Sequence, residues 1–154
     1  RDPSYISPIL SAIQSDLCES GIDGVLSTHI QRDALEKFSY VSPIGAAGVY
    51  LHAVAGDFQK EGPARELFKS MIREISALAA AMGYPFEKDY VKINLEILSN
   101  LSADATTSMQ RDIMEGKPSE LDGLVMEPLR LAKKYSVSMP CYEEVAKVLC
   151  PLEF

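Results

Sequence analysis

A chain of 154 residues, 47% hydrophobic and 24% charged, is long enough to bury a core without covalent staples and has the make-up of one soluble globular domain. A net charge of −7 excludes a nucleic-acid surface, which needs clustered Lys and Arg, and no apolar run is long enough to span a bilayer. Cys18, Cys141 and Cys150 are odd in number and lack C-x-x-C spacing, which favours unpaired thiols in a reducing cytoplasm over a disulfide scaffold. No signal peptide is visible, and Arg1 in place of Met is expected of a chain that starts partway through a longer protein.

Taken in order, Ile6 to Ser20 carries apolar residues at Ile6, Ile9, Leu10, Ile13 and Leu17, the i, i+3, i+4, i+7 stripe of a helix, with Gly21 placed to end it. Ile22 to Ser27 mixes apolar residues with turn formers and reads as a lone strand that has few partners. A helix is predicted from about Ile30, with Leu35, Phe38 and Val41 inward and Pro43 bending or interrupting it. The small apolar run Ile44 to Val49 suits close helix-to-helix approach, and Gly56 to Gly62 reads as a polar connection.

Pro63 to Met82 is the clearest helix, with Leu67, Met71, Ile75, Leu78 and Met82 on one face and Gly83 as its stop. Asp89 to Leu101 follows, with Val91, Leu95 and Leu98 inward. Ser102 or Asp104 is placed to cap a helix running into Glu115. Ser119 to Tyr135 is the next, kinked at Pro128, and Tyr142 to Leu149 is the last. No strand alternation appears after residue 30, so the fold class is an all-α, multi-helix bundle preceded by a short helix-strand segment.

Packing explains the stretch from Thr106 to Asp122 least well. Gly116 is placed to stop one helix in a left-handed cap, Pro118 sits at the junction, and Ser119 with Asp122 has capping-box spacing. The turn has hydroxyls on one side (Thr106, Thr107, Ser108) and a carboxylate, Glu120, on the other. Each residue also has an ordinary reading as part of a helix start. His29 and His52 lack ligand spacing, so no metal site is expected. There is no G-x-G-x-x-G and no P-loop, so no dinucleotide site is expected within this fragment. The methionines fall mostly at helical core spacing and read as gap fillers.

The run T-S-M-Q-R-D-I-M-E-G-K-P-S-E-L-D-G, residues 107 to 123, resembles the signature near the C-terminus of ketopantoate reductases (2-dehydropantoate 2-reductases). The resemblance extends from about Gln31 to Leu149. It implies the helical C-terminal domain found in 6-phosphogluconate dehydrogenase-like and ketopantoate reductase proteins. Residues 1–30 would be the remnant of, or linker from, an N-terminal dinucleotide-binding domain, and 31–154 the substrate-binding domain. The activity implied is that of an NADPH-dependent 2-keto acid reductase, the family reaction being ketopantoate to pantoate in pantothenate biosynthesis. The cofactor would be bound by the full-length protein and not by this fragment, which would be inactive alone.

Residue by residue, the resemblance makes Lys37 the general acid, in the run Asp33-Ala34-Leu35-Glu36-Lys37-Phe38, with Leu35 where the family usually has Trp. The role is chemically sound, because hydride arriving at a ketone leaves an alkoxide that a protonated Lys can stabilise and then neutralise. Spacing alone offers the plainer reading of a solvated ion pair between Asp33 and Lys37. Glu120 aligns with the carboxylate that accepts hydrogen bonds from substrate hydroxyls, and Thr107 and Ser108 with the hydroxyl pair on the substrate's carboxylate side. Asp112 and Asp122 match acidic positions of the motif and read as capping or structural. The family's two Asn positions, four and eight residues after the Lys, hold Val41 and Gly45 here, which implies a 2-keto acid with a more apolar tail. The competing reading keeps the family relationship and drops catalysis, leaving a helical dimerisation or interaction module. An exposed cleft face would favour a homodimer.

Overall fold

The computed structural model describes residues 6–151. Its helices are α1 (Pro8–Glu19), α2 (Ile30–Leu51), α3 (Ala55–Gln59), α4 (Pro63–Ala81), α5 (Tyr90–Ser99), α6 (Ser108–Met114), α7 (Glu127–Tyr135) and α8 (Pro140–Leu149). A π-helical turn, Asp122–Met126, leads directly into α7. The fold is all-helical, with no strand among the described residues.

Helix α2 is the axis of the bundle. It packs most extensively on α4 and also touches α5, α6, α8 and the π-turn. Its middle, Ile44 to Gly48, is buried, and the small side chains there let neighbours come close. At Gly48, for example, an added Cβ would lie within 2.8 Å of the Gln110 amide. Helix α4 supplies the largest share of the core through Phe68, Met71, Ile72, Ile75 and Leu78, all essentially inaccessible to water. Phe68 meets the edges of Tyr40 and Phe58 at ring distances of 6.0 and 5.9 Å. The N-terminus of α8 is tied to α4 by Glu74, whose carboxylate accepts from the backbone N–H groups of Cys141 (2.8 Å) and Tyr142 (3.1 Å).

Helices α2 and α7 each contain a buried proline, and a proline has no N–H for the carbonyl four residues back. Pro43 deprives the carbonyl of Ser39, and Asn94 of α5 donates to that carbonyl at 3.1 Å and to the Ser39 hydroxyl at 3.1 Å. Pro128 deprives the carbonyl of Leu124, and the Ser42 hydroxyl of α2 donates to it at 2.6 Å. Three of the buried polar side chains, Ser39, Ser42 and Asn94, are accounted for in this way. The fourth, Gln110, donates to the Ala53 carbonyl at 2.8 Å, just past the left-handed C-cap of α2 at His52.

Several sequence expectations are corrected. Ile22 to Ser27 is irregular rather than a strand, because the described residues hold no second strand to pair with; the Gly24 carbonyl instead accepts from Gln14 at 2.7 Å. Helix α2 runs through Pro43 unbroken, since Asn94 supplies the missing donor, and Val41 is 37% exposed rather than inward. The connection from Gly56 to Gly62 contains most of α3, with Phe58 buried. The cap of α6 is Thr107, not Ser102 or Asp104, which hydrogen-bond each other. No Ser119–Asp122 capping box forms, because Asp122 pairs with Arg130. The predicted helix beginning at Ser119 opens as the π-turn instead. The first five residues of the 1–30 segment lie outside the described residues.

Two measurements check this packing. Asn94→Ala is expected to cost about 1–3 kcal/mol in urea unfolding by stranding the Ser39 carbonyl, and Pro43→Ala in that background should recover part of the loss by restoring an N–H. Burial, and then the neighbouring Glu74, push the Cys141 thiol up to about 11. A raised pKa means less thiolate at any given pH, so at pH 8 exposed Cys18 should be alkylated at least about tenfold faster than Cys141, as read by peptide mass spectrometry.

Candidate substrate-binding site

Lys37 projects from α2 at the rim of a recess of about 320 Å³, which is also lined by Asp33, Glu36, Tyr40, Val41, Tyr90, Asn94 and Ile97. The expected Asp33–Lys37 ion pair is not formed. Asp33 instead accepts a hydrogen bond from the Ser27 hydroxyl, and Lys37 has no salt bridge or hydrogen bond among the described residues. Its ammonium is therefore available to a ligand. Across the recess, burial first and Glu36 second push the Tyr90 phenol up to about 12, so it stays a neutral donor at physiological pH.

A second recess of about 250 Å³ adjoins the first, and Tyr40 and Ile97 belong to the walls of both. Its remaining lining is mostly apolar: Ile44, Ala55, Phe58, Leu101 and Ala105, with Thr106, Thr107 and Gln110 at one side. Backbone bonds from Ala55 N–H to the Ala105 carbonyl (3.0 Å) and from Gly56 N–H to the Ala103 carbonyl (2.7 Å) hold the start of α3 against the loop before α6. This puts two alanines side by side in the wall.

Lys37, Val41 and Gly45 follow one another at helical i, i+4, i+8 spacing, a row about 12 Å long. At its far end, a Cβ on Gly45 would meet Met109 Cε at 3.0 Å, with Thr107 Oγ1 and Leu124 Cδ1 at 3.9 Å. Thr107 is the N-cap of α6: its hydroxyl accepts from the Gln110 N–H at 3.2 Å, and the Gln110 side chain accepts from the Thr107 N–H at 2.9 Å. Ser108 opens α6 and is exposed. Glu120 is exposed in the segment before the π-turn, and its carbonyl accepts from the Leu124 N–H at 2.8 Å.

The fold thus brings Lys37 and Thr107 to adjoining recesses. Ser108 lies next to Thr107 on the surface, and Glu120 one turn before Leu124, lining neither recess. Sequence reasoning missed Tyr40 and Ile97 as the shared wall, and Ala55 and Ala105 behind it. Tyr40, three residues after Lys37, carried a faint signal, because i and i+3 share a helix face. The alanines carried none. No group of three or more His, Cys, Asp or Glu side chains with metal-binding geometry occurs among the described residues.

Residues 29–153 match the family model described as ketopantoate reductase PanE/ApbA C terminal. The chain belongs to this family. A 2-dehydropantoate 2-reductase of Aquifex aeolicus (strain VF5) is 27% identical over 135 residues, covering 85% of this chain and 43% of that protein. Among solved structures, the 2-dehydropantoate 2-reductase from Methylococcus capsulatus superposes with a TM-score of 0.85 at 24% identity, covering 98% of this chain and 48% of that one. A D-mandelate dehydrogenase solved with NADH and anilino(oxo)acetate gives 0.75 at 18% identity, covering 88% and 57%. The structural likenesses establish the fold. The chain spans about half the length of these ketopantoate reductase relatives or less.

Proposed function

We propose that this chain is the substrate-binding, proton-donating half of an NADPH-dependent 2-keto acid reductase of the ketopantoate reductase type, inactive without an N-terminal dinucleotide-binding domain. The observation that carries the reading is Lys37: an ammonium with no partner among the described residues, lining one recess that shares Tyr40 and Ile97 with a mostly apolar recess bordered by Thr107. The chain has no glycine-rich strand-to-helix turn, so the residues that grip the dinucleotide are assigned to the N-terminal half. That cofactor supplies the hydride, and this chain's residues do the rest.

Lys37 hydrogen-bonds the keto oxygen, drawing charge from the carbonyl carbon, and its proton passes to the same oxygen as the alkoxide forms. Ser108 offers its hydroxyl to the substrate carboxylate, Thr107 joins it by turning its hydroxyl away from Gln110 Oε1, to which it otherwise donates at 3.2 Å, and Glu120 accepts from a substrate hydroxyl where there is one. Val41 and Gly45 stand on the row that leads from Lys37 towards Thr107, and neither can hydrogen-bond a substrate hydroxyl through its side chain. Ala55 and Ala105 continue the apolar surface behind them. Glu120 is then the main polar contact left for a hydroxylated tail, which favours a branched or aromatic apolar one.

Helix α1 supports a domain boundary near residue 30. It contacts no other helix, and Ile9 and Val25 are 71% and 79% exposed in a stretch where Leu10, Ile13 and Ile22 are also uncovered. We assign this face to the junction with the N-terminal half. Cytoplasmic residence and any homodimer are parts of the same proposal. No described helix is long and apolar enough to cross a membrane.

In the full-length protein, Lys37→Ala should lower kcat for 2-keto acid reduction by about 100-fold or more, the usual scale of general acid catalysis. Reduction as fast as the parent's would remove Lys37 from the mechanism. Trimethylpyruvate, which is ketopantoate without its hydroxyl, should be reduced with a kcat/KM at least equal to that of ketopantoate. Val41→Asn should tip the ratio about tenfold towards ketopantoate, the worth of roughly one hydrogen bond. A parent enzyme that clearly prefers ketopantoate would refute the apolar-tail assignment. If neither substrate, nor anilino(oxo)acetate as competing ligand, engages the full-length protein, the non-catalytic module becomes the better reading.

A further inference from the structure

The π-turn sits between the segment bearing Glu120 and the body of α7, and its geometry has an identifiable cause. In a regular α-helix the ring of Pro128 would clash with the Leu124 carbonyl and offer it no hydrogen. The wide turn from Asp122 to Met126, closed by a bond from the Glu127 N–H to the Asp122 carbonyl, moves that carbonyl off the ring. Gly123 lies within the turn in open space, where no side chain resists the widening. The displaced Leu124 carbonyl then meets α2, where the Ser42 hydroxyl donates to it at 2.6 Å.

A serine hydroxyl has one proton to give. Ser42 gives it to Leu124, so its short contact with Tyr142 must run the other way, the phenol donating to Ser42. Ser42 and Tyr142 are both fully buried, so water cannot replace either bond. The outcome is a directed relay from α8 through α2 to one carbonyl of the π-turn. One extra residue in a turn offsets whatever precedes it by about 100° around the helix axis. Glu120 stands two residues before it, and its carbonyl receives the Leu124 N–H, so its position follows that of Leu124.

We propose that Ser42 is a positioning residue that anchors the π-turn to α2 and thereby sets where Glu120 stands relative to the row of Lys37. The proposal rests on the reductase reading for the role of Glu120 and goes beyond it in assigning a buried residue that touches no substrate. Ser42 adjoins Val41 on the helix that carries Lys37, so the relay also fixes the height of Glu120 relative to that row.

The test uses the full-length enzyme and the ratio of kcat/KM for ketopantoate to that for trimethylpyruvate. Partial unfolding lowers both rates equally and leaves the ratio unchanged. Glu120→Ala should lower the ratio about five- to tenfold, because only ketopantoate has the hydroxyl. Ser42→Ala should lower it by a similar factor, and the double variant should lower it no further than Glu120→Ala alone. Tyr142→Phe, which removes the donor to Ser42 but keeps the bond to Leu124, should reduce Tm and leave the ratio in place. Should Ser42→Ala not fold, Ser42→Cys replaces it, with similar bulk and a weaker donor. A crystal structure of the Ser42→Ala variant should show the π-turn, which Pro128 still imposes, shifted relative to α2, with Glu120 displaced. An unchanged ratio in the Ser42 variant beside a lowered one in Glu120→Ala overturns the positioning role alone. So do fully additive effects, or a Leu124 carbonyl and a Glu120 that keep their places without the hydroxyl. A ratio unmoved by Glu120→Ala overturns the reading of Glu120, and with it the assignment of Ser42 as its support.

Discussion

Two helix-interior prolines leave two buried carbonyls without a partner, and much of the bundle can be understood as the answer to that constraint. An unpaired carbonyl in a dry core costs about as much as a whole hydrogen bond, so each has to be met from outside its own helix. Asn94 meets the first and Ser42 the second. Both bonds pass through α2, which thereby fixes α5 on one side and the π-turn on the other. The apolar core formed largely by α4 supplies the bulk of the driving force, but it is non-directional. The polar pairs set the register in which α5 and α7 lie against α2.

That register decides what the candidate site can be. Lys37, Val41 and Gly45 form a row because α2 continues unbroken through Pro43. Tyr40, held edge-on to Phe68, stands between the recess of Lys37 and the apolar recess under Thr107. Asn94 has a double position, repairing α2 at Ser39 while lining the Lys37 recess. The two recesses are therefore built on packed helices, whereas Glu120 lies outside both, on the segment leading into the π-turn.

The N-terminal segment contrasts with this. Helix α1 has a regular amphipathic pattern and packs against no other helix among the described residues. A stripe of that kind normally signals burial, and here it stays open to water over a chain about half as long as its relatives.

The sequence by itself determined the helical class, most helix boundaries and the family. Periodicity, Gly21, Gly83 and Gly116 as stops, and the run from Thr107 to Gly123 are local features that need no partner to be read. It also picked out Lys37, Thr107, Ser108 and Glu120, though through family pattern rather than local physics. Tertiary structure alone decided what those local rules leave open. The segment Ile22 to Ser27 had strand character but no strand to pair with, and so became irregular chain. Val41 had the spacing of a core residue and lines a recess, 37% exposed, that α5 borders on its other side. Asp122 had the spacing of a cap and went to Arg130. The Leu124 carbonyl of the π-turn meets a hydroxyl 82 positions away in the chain, and the phenol that donates to that hydroxyl is 100 positions from it. Separations of that size leave no trace in a local pattern, because only the packed core brings the partners together.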